Sequence, residues 1–276
     1  TELSKACKDH KTARQTIHNV RDESKVMSLE DIVSDDPATV IVSTNNWIRT
    51  MKGHDLDLRK LLYKTGDAYS HHCESRSNLP IVVMGDKGRF FGLPIHLLPN
   101  GKSTGEPVSS KVIFQNGEKV HTILPFEADS EVLLTTSKGN GFRAPMEIMD
   151  SRVKKGKLIL VLPDGDKALP PEVIKDEVEL AMLTQQGRLI VIPIDSINCS
   201  NKSQGVKLAD IRAKDYLAGD DSLVSIVPLN KDDKLFVFIG KKKHVLNNEK
   251  LEHYRASRAR RGVFFEHGRN NLSISK

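Results

Sequence analysis

The chain reads as an all-β protein made of about five copies of one small unit, and three observations carry that reading. Short apolar runs of strand length recur, each broken by a polar turn and followed by a second run. A turn glycine and a later glycine with basic neighbours recur with them. The repeat interval is some 40 to 55 residues, room for about four short strands, which suits sheets set as blades around an axis.

The clearest copy is Glu179 to Leu208. Leu180-Ala181-Met182-Leu183 meets a turn closed by Gly187, and Leu189 to Ile192 runs on to Pro193-Ile194. Ile81-Val82-Val83-Met84 turns at Asp86-Lys87-Gly88 and reaches Pro94-Ile95; Val132-Leu133-Leu134 turns at Gly139 and reaches Pro145-Met146. In all three the glycine precedes the proline by six residues. The end copies lack the proline: Val40-Ile41-Val42 turns at Asn45-Asn46 into Trp47-Ile48, and Leu235 to Ile239 turns at Gly240-Lys241-Lys242 into Val245-Leu246. Hairpin loops need a residue at positive φ, which Gly supplies and Asn tolerates. Lys242 does not meet that need, so the last turn is expected to differ. Pro donates no ladder hydrogen bond and marks strand ends or edges.

The second glycine is Gly66, Gly105, Gly156, Gly205 and Gly262, at spacings of 39, 51, 49 and 57. Each follows a basic residue within three positions: Lys64, Lys102, Lys154 with Lys155, Lys202, and Arg260 with Arg261. The units fall at about 37–78, 79–128, 129–176, 177–230 and 231–276, so residues 37–276 form the β domain. Residues 1–36 are polar and read as a helical arm and linker. Because the end units depart most from the repeat, the ring is expected to be open or irregular where the first and last units would meet.

Charge narrows the function. The net charge is +6, and the first 36 residues hold 6 basic and 8 acidic side chains, leaving 36 basic against 28 acidic in the rest. A basic excess placed at recurring corners suits a polyanion. No stretch is long and apolar enough for a membrane span, and no signal peptide is visible. Cys7, Cys73 and Cys199 lie far apart and form no CxxC or disulfide framework, which fits a reducing cytoplasm. His71-His72-Cys73 invites a metal reading, but strand neighbours face opposite sides and no second ligand pair is near. Asp164-Gly165-Asp166 lacks the rest of a calcium loop and reads as a turn. No GxxxxGK[ST] occurs. Trp47 fits core packing or a DNA contact.

The residues Thr44 to Asp57 (TNNWIRTMKGHDLD), Leu62 to Asp67 (LYKTGD) and Ser257 to Val263 (SRARRGV), with the recurring Pro-Ile and Pro-Met strand ends, carry a resemblance over about 37–276. The chain resembles the C-terminal domain of the A subunit of bacterial type IIA topoisomerases, most closely the topoisomerase IV kind. The resemblance implies a β-pinwheel whose blades exchange strands and whose outer rim binds and bends DNA. The related gyrase subunit carries a Gln-Arg-Arg-Gly-Gly-Lys-Gly box in its first blade. Here Tyr63-Lys64-Thr65-Gly66-Asp67-Ala68 stands at that place, which argues against gyrase-like wrapping. The family cleaves DNA through a tyrosine following an arginine; Tyr63, Tyr69, Tyr216 and Tyr254 do not follow one, so no catalytic residue is expected in this chain.

The expected function is that of a DNA-binding accessory domain that captures or steers the transported duplex during ATP-dependent strand passage. Double-stranded DNA is the expected partner, with the remainder of the A subunit, the ATPase B subunit (ParE) in a heterotetramer, and, in some bacteria, a condensin-like protein. No cofactor is expected in this chain; ATP and Mg2+ belong to other parts of the holoenzyme. The setting is the bacterial cytoplasm and nucleoid. The alternatives are a gyrase-type wrapping domain and a propeller-like protein scaffold. Candidate phosphate contacts are Arg49, Lys52, Lys64, Arg89, Lys102, Arg143, Arg152, Lys154, Lys155, Lys157, Arg188, Lys202, Lys207, Lys241, Lys242, Lys243, Arg258, Arg260 and Arg261. Units one and five hold the cleanest basic groups and would adjoin if the ring brought the chain ends together; Arg152 to Lys157 is the central rival.

Overall fold

The computed structural model describes residues 33–101, 103–266 and 272–276. The helical arm expected over 1–36 therefore lies almost wholly outside the described residues, as does Lys102. Residues 33–276 make one compact unit, and it is all-β.

The first unit supplies β1 (Pro37–Ser43), β2 (Trp47–Lys52) and β3 (Tyr69–Arg76). The second supplies β4 (Pro80–Gly85), β5 (Arg89–Pro94), β6 (Glu106–Pro107) and β7 (Val120–Pro125). The third supplies β8 (Glu131–Thr135), β9 (Asn140–Pro145), β10 (Lys157–Leu158) and β11 (Glu172–Ile174). The fourth supplies β12 (Glu179–Thr184), β13 (Arg188–Pro193), β14 (Val206–Lys207) and β15 (Leu223–Leu229). The fifth supplies β16 (Leu235–Ile239), β17 (Lys242–Leu246), β18 (Val263–Phe264) and β19 (Leu272–Ser275).

The sheets do not coincide with these units. Their strand orders are β3-β1-β2-β6, β10-β5-β4-β7, β11-β8-β9-β14, β15-β12-β13-β18 and β17-β16-β19. Every unit after the first gives one two-residue strand to the sheet before it. Among the described residues the first unit supplies three strands, and the last sheet, which receives no exchanged strand, also holds three. This one-way exchange is the pinwheel that the resemblance implied.

Period-two patterning explains why the central strands are apolar throughout. Successive side chains point to opposite faces, and here both faces meet a neighbouring sheet. Ile81 and Val83 pack towards the first sheet, while Val82 and Met84 pack towards the third. Leu180 and Met182 pack towards the third sheet, Ala181 and Leu183 towards the fifth. Among the described residues four apolar clusters fill the junctions 1–2, 2–3, 3–4 and 4–5, and none joins the fifth sheet to the first. No strand pairing among the described residues joins them either, so the ring they form is open, as the departures of the end units suggested. On the outward face of the fifth sheet Phe236 and Phe238 stay partly exposed beneath the Lys243 ammonium, which lies 3.5 Å and 5.9 Å from their ring centres.

Four hairpins share one three-residue turn, closed by a N–H donated from Asn46, Gly88, Gly139 or Gly187 to the carbonyl three residues earlier. The fifth turn differs, as expected. It has two central residues, Gly240 and Lys241, with Gly240 at φ 57° in the first position, where a type II′ turn requires it. Two short helices, α1 (Ala213–Ala218) and α2 (Asn248–Leu251), depart from the expectation that helix is confined to the N-terminal arm.

Candidate nucleic-acid interface

The inner and outer edges of each sheet follow from neighbour contacts. Strand β3 touches β7, β11 touches β15, and β15 touches β19, so the last strands of the units crowd towards the axis. The exchanged strands β6, β10, β14 and β18 occupy the opposite edge, which faces outward. Gly105, Gly156, Gly205 and Gly262 stand immediately before them. The recurring basic-plus-glycine corner is therefore the point where the chain crosses onto the sheet before it.

The crossing is tight. A Cβ on Gly105 would come within 2.5 Å of the Ile48 carbonyl oxygen, and one on Gly205 within 2.6 Å of the Gly141 nitrogen. The incoming strand is also clasped by the hairpin turn. The Asn46 carbonyl accepts the Val108 N–H at 2.9 Å, the Gly88 carbonyl accepts Leu160 at 3.2 Å, Gly139 accepts Leu208 at 2.8 Å, and Gly187 accepts Phe265 at 2.8 Å. Gly66 precedes no exchanged strand among the described residues, and a Cβ there would meet nothing within 4 Å.

This arrangement divides the predicted phosphate contacts into two groups. Four arginines point into the interlock. Arg49 is only 3% exposed; its guanidinium donates to the Ser103 carbonyl at 2.6 Å and lies 5.0 Å over the Tyr63 ring. That burial removes it from the solvent-facing set. Arg89 donates to the Lys155 carbonyl at 3.0 Å. Arg188 donates to the Gly262 carbonyl at 3.0 Å and stacks 3.7 Å from the Phe264 ring centre. Arg143 donates to the Ile197 carbonyl at 2.9 Å and pairs with Glu131 at 3.0 Å. These side chains tie each sheet to the next unit in the chain.

The second group faces water. Lys154, Lys155, Lys157, Lys202, Lys241 and Lys242 are exposed and have no ion pair among the described residues. Lys64 is exposed with its ammonium 3.3 Å over the half-buried Trp47 ring, so that tryptophan serves neither simply as core nor as a bare contact. Lys52 pairs with Asp36 at 3.3 Å and Lys207 with Asp210 at 3.0 Å. Hydrogen bonding from Ser34, then from Lys52, lowers the Asp36 pKa. Such exposed pairs are weak and open readily to a phosphate. Arg152 is held by Asp150 at 2.8 Å.

In the last unit Arg258 donates to the Ser196 carbonyl at 3.3 Å and Arg261 pairs with Asp215 of α1 at 3.0 Å, while Arg260 is exposed. The supposed merging of units one and five has no support in pairing or packing, because the ring is open there. The central group Lys154, Lys155 and Lys157 is left as the densest uncommitted one. Lys87 and Lys138, which immediately precede the turn glycines Gly88 and Gly139, are engaged within the protein: Lys87 donates to the Asn116 carbonyl, and Lys138 donates to the Asp164 carbonyl at 3.1 Å and lies 5.2 Å from the Tyr216 ring centre.

The other motifs have settled placements. Cys73 is buried on β3, and burial pushes its thiol up to about 12. His72 bonds Tyr69 through its ring nitrogen at 2.7 Å, and no group of three or more His, Cys, Asp or Glu converges among the described residues. Asp166 closes a turn, with one carboxylate oxygen accepting from Ser137 at 3.0 Å and from the Lys138 N–H at 3.2 Å.

Comparison with known proteins agrees with this geometry. Residues 130–147 and 179–238 match the family described as the DNA gyrase C-terminal domain, beta-propeller. The A subunit of DNA topoisomerase 4 from Salmonella typhimurium is 32% identical over 244 residues, covering 88% of this chain and 32% of the relative. Its counterpart from Haemophilus influenzae is 30% identical over 275 residues, covering 99% and 37%. The chain thus spans about a third of the length of these relatives. The solved structure of the E. coli ParC C-terminal domain superposes with a TM-score of 0.78 at 29% identity, covering 87% of this chain and 99% of that one. A DNA gyrase A C-terminal domain superposes at 0.62 with 14% identity, covering 83% and 76%, a likeness of fold. With its one-way strand exchange and its open arc of five sheets, the chain belongs among the C-terminal β-pinwheel domains of bacterial type IIA topoisomerase A subunits, in the topoisomerase IV (ParC) branch.

Proposed function

We propose that this pinwheel binds and bends duplex DNA as the accessory domain of a topoisomerase IV A subunit. The observation that carries the reading is the set of lysines without carboxylate partners, Lys154, Lys155, Lys157 and Lys202, at corners of the outward edge. Ammonium groups placed on phosphates release condensed counterions and give affinity without reading sequence. A convex positive edge also offsets part of the elastic cost of bending, because each further phosphate contact is gained only if the duplex follows the edge.

Within a whole enzyme the domain would hold or steer the transported duplex. Residues 1–36 would join it to the rest of the A subunit, and the B subunit (ParE) would supply ATP-driven passage, with ATP and Mg2+ bound there. Decatenation and relaxation of supercoils during chromosome segregation are the expected outcomes, in a nucleoid setting, with a condensin-like protein as a further partner.

Duplex affinity of the 276-residue chain, measured against salt, tests the reading. Neutralising about four to six phosphates gives a log–log slope of roughly −4 to −5. A flat salt response would leave a protein scaffold as the function. A gyrase-type wrapping domain is the rival suggested by the matching family's description. Religation of nicked circles with the chain bound separates them, because chiral wrapping shifts the linking number and simple bending does not.

A further inference from the structure

Two apolar side chains stand exposed at the most basic corner of the arc. Ile113 is 54% and Val153 64% exposed. The Ile113 N–H donates to the Lys154 carbonyl at 2.7 Å, so their two loops lie side by side on the outward edge of the second sheet. Both loops rest on one ring. Phe114 meets Phe91 edge-on with centroids 5.4 Å apart, and Gly156 lies so close that a Cβ there would come within 2.5 Å of the Phe91 ring. Val112, on the other side of Ile113, is buried. Ile113 is thus held outward by packed residues before and after it. Lys154, Lys155 and Lys157 follow Val153 in the chain, exposed and without an ion pair among the described residues.

A lone exposed aliphatic residue needs no explanation, but a packed apolar point on the same loops as three exposed, unpaired lysines matches a particular ligand. Minor-groove binders seat cations on the flanking phosphates and press an apolar wedge between base pairs, which kinks the duplex away from the wedge. A partly buried mount is what such a wedge requires, since a flexible one would fold back instead of unstacking a step.

We propose that Ile113, with Val153 beside it, is an apolar wedge that enters the minor groove of the bound duplex and opens one base step. The inference rests on the DNA-binding reading above and adds where along the arc the duplex yields. Bending is then not uniform but concentrated at the second sheet.

The test uses the 276-residue chain and a duplex carrying 2-aminopurine at successive positions, with a dye at each end to report the bend. The unaltered chain should brighten the 2-aminopurine and draw the ends together. Ile113→Ala with Val153→Ala should abolish both signals and weaken affinity about three- to tenfold, with the salt slope unchanged because no phosphate contact is lost. Lys154→Ala with Lys155→Ala should instead flatten the slope by about 2, near 0.9 for each phosphate, while the remaining complex still brightens the probe. Unchanged thermal melting of these surface variants confirms that folding is not the cause. Binding without any 2-aminopurine response, or a response that survives the double alanine variant, would overturn the wedge alone and leave the patch to a protein partner. Failure of the unaltered chain to bind duplex would overturn the DNA reading and the wedge with it.

Discussion

Gly205→Ala and Gly66→Ala form a matched pair that measures the interlock. The two glycines have nearly the same backbone, φ +81° and +79°. An alanine in that left-handed region costs about 1–2 kcal/mol at either place. Beyond that they differ. At Gly66 the new methyl meets nothing within 4 Å, whereas at Gly205 it meets the Gly141 nitrogen at 2.6 Å and Cα at 2.8 Å. These are backbone atoms, and a rotamer change cannot relieve them. Overpacking of this kind adds about 1–3 kcal/mol. Gly205→Ala should therefore lower unfolding free energy by about 2–5 kcal/mol, and Gly66→Ala by only about 1–2. Urea unfolding followed by far-ultraviolet circular dichroism reads both, provided the slope with denaturant is the same in the two variants. Equal losses would mean that the exchanged strand does not press on the sheet before it, and the structural explanation of the recurring glycine corner would fail.

Reversing Lys154, Lys155 and Lys157 to Glu should weaken duplex binding more than reversing Lys52 and Lys207, because the latter two already share their charge with Asp36 and Asp210; equal losses in a filter-binding or anisotropy assay would contradict this. Burial first, and then Glu177, raise the Glu172 carboxyl from 4.5 to about 7. The folded state thus holds this proton more tightly than the unfolded chain, and the stability gained is complete below about pH 4.5 and is lost as pH rises through about 7. Glu172→Gln should flatten that part of the stability–pH curve and stabilise the protein above neutral pH by about 1–2 kcal/mol, once partial exposure is allowed for; a variant with the parent's pH dependence would refute it. Arg188→Lys should cost about 1–3 kcal/mol of stability by loosening the hold on Gly262 and Phe264, yet leave the salt slope of duplex binding unchanged; an altered slope would return Arg188 to the DNA surface.

The hairpins were legible because their signals are local. Gly88, Gly139, Gly187 and Asn46 each close a turn that only a few residues can make, and the apolar runs show that both faces of a strand are covered. The opening of the ring was legible from the end units, which lack the strand-ending proline of the three central copies. The exchange was visible only as a spacing of glycines, and its cause was not. That Gly205 lies against Gly141, 64 residues earlier in the chain, is a fact of topology that no local pattern states. Arg49 was misplaced for the same reason: its partner carbonyl, Ser103, is 54 residues away in the strand-donating unit. The short helices were faint for another reason. Gly219 at φ 77° ends α1 and the Asn247 side chain caps α2, yet six and four residues are too few to show a helical period.

The basic residues divide by chemistry more than by position. A guanidinium is planar and weakly hydrated, offers several donors in a fixed fork, and stacks on rings, so it can bond a carbonyl in a half-buried seam without losing much hydration. Arg49, Arg89, Arg143 and Arg188 do this, each reaching a carbonyl of the next unit, and two of them lie over an aromatic ring as well. An ammonium is compact and strongly hydrated, so the same seam would be costly for it, and Lys64, Lys154, Lys155 and Lys202 remain exposed at their corners. The two roles occupy adjacent positions because both depend on the crossing strand: Arg89 grips the Lys155 carbonyl while the Lys155 side chain points outward. The crossing at β10 therefore fixes the second sheet and, by the same contact, holds the backbone that carries the exposed Lys155 side chain.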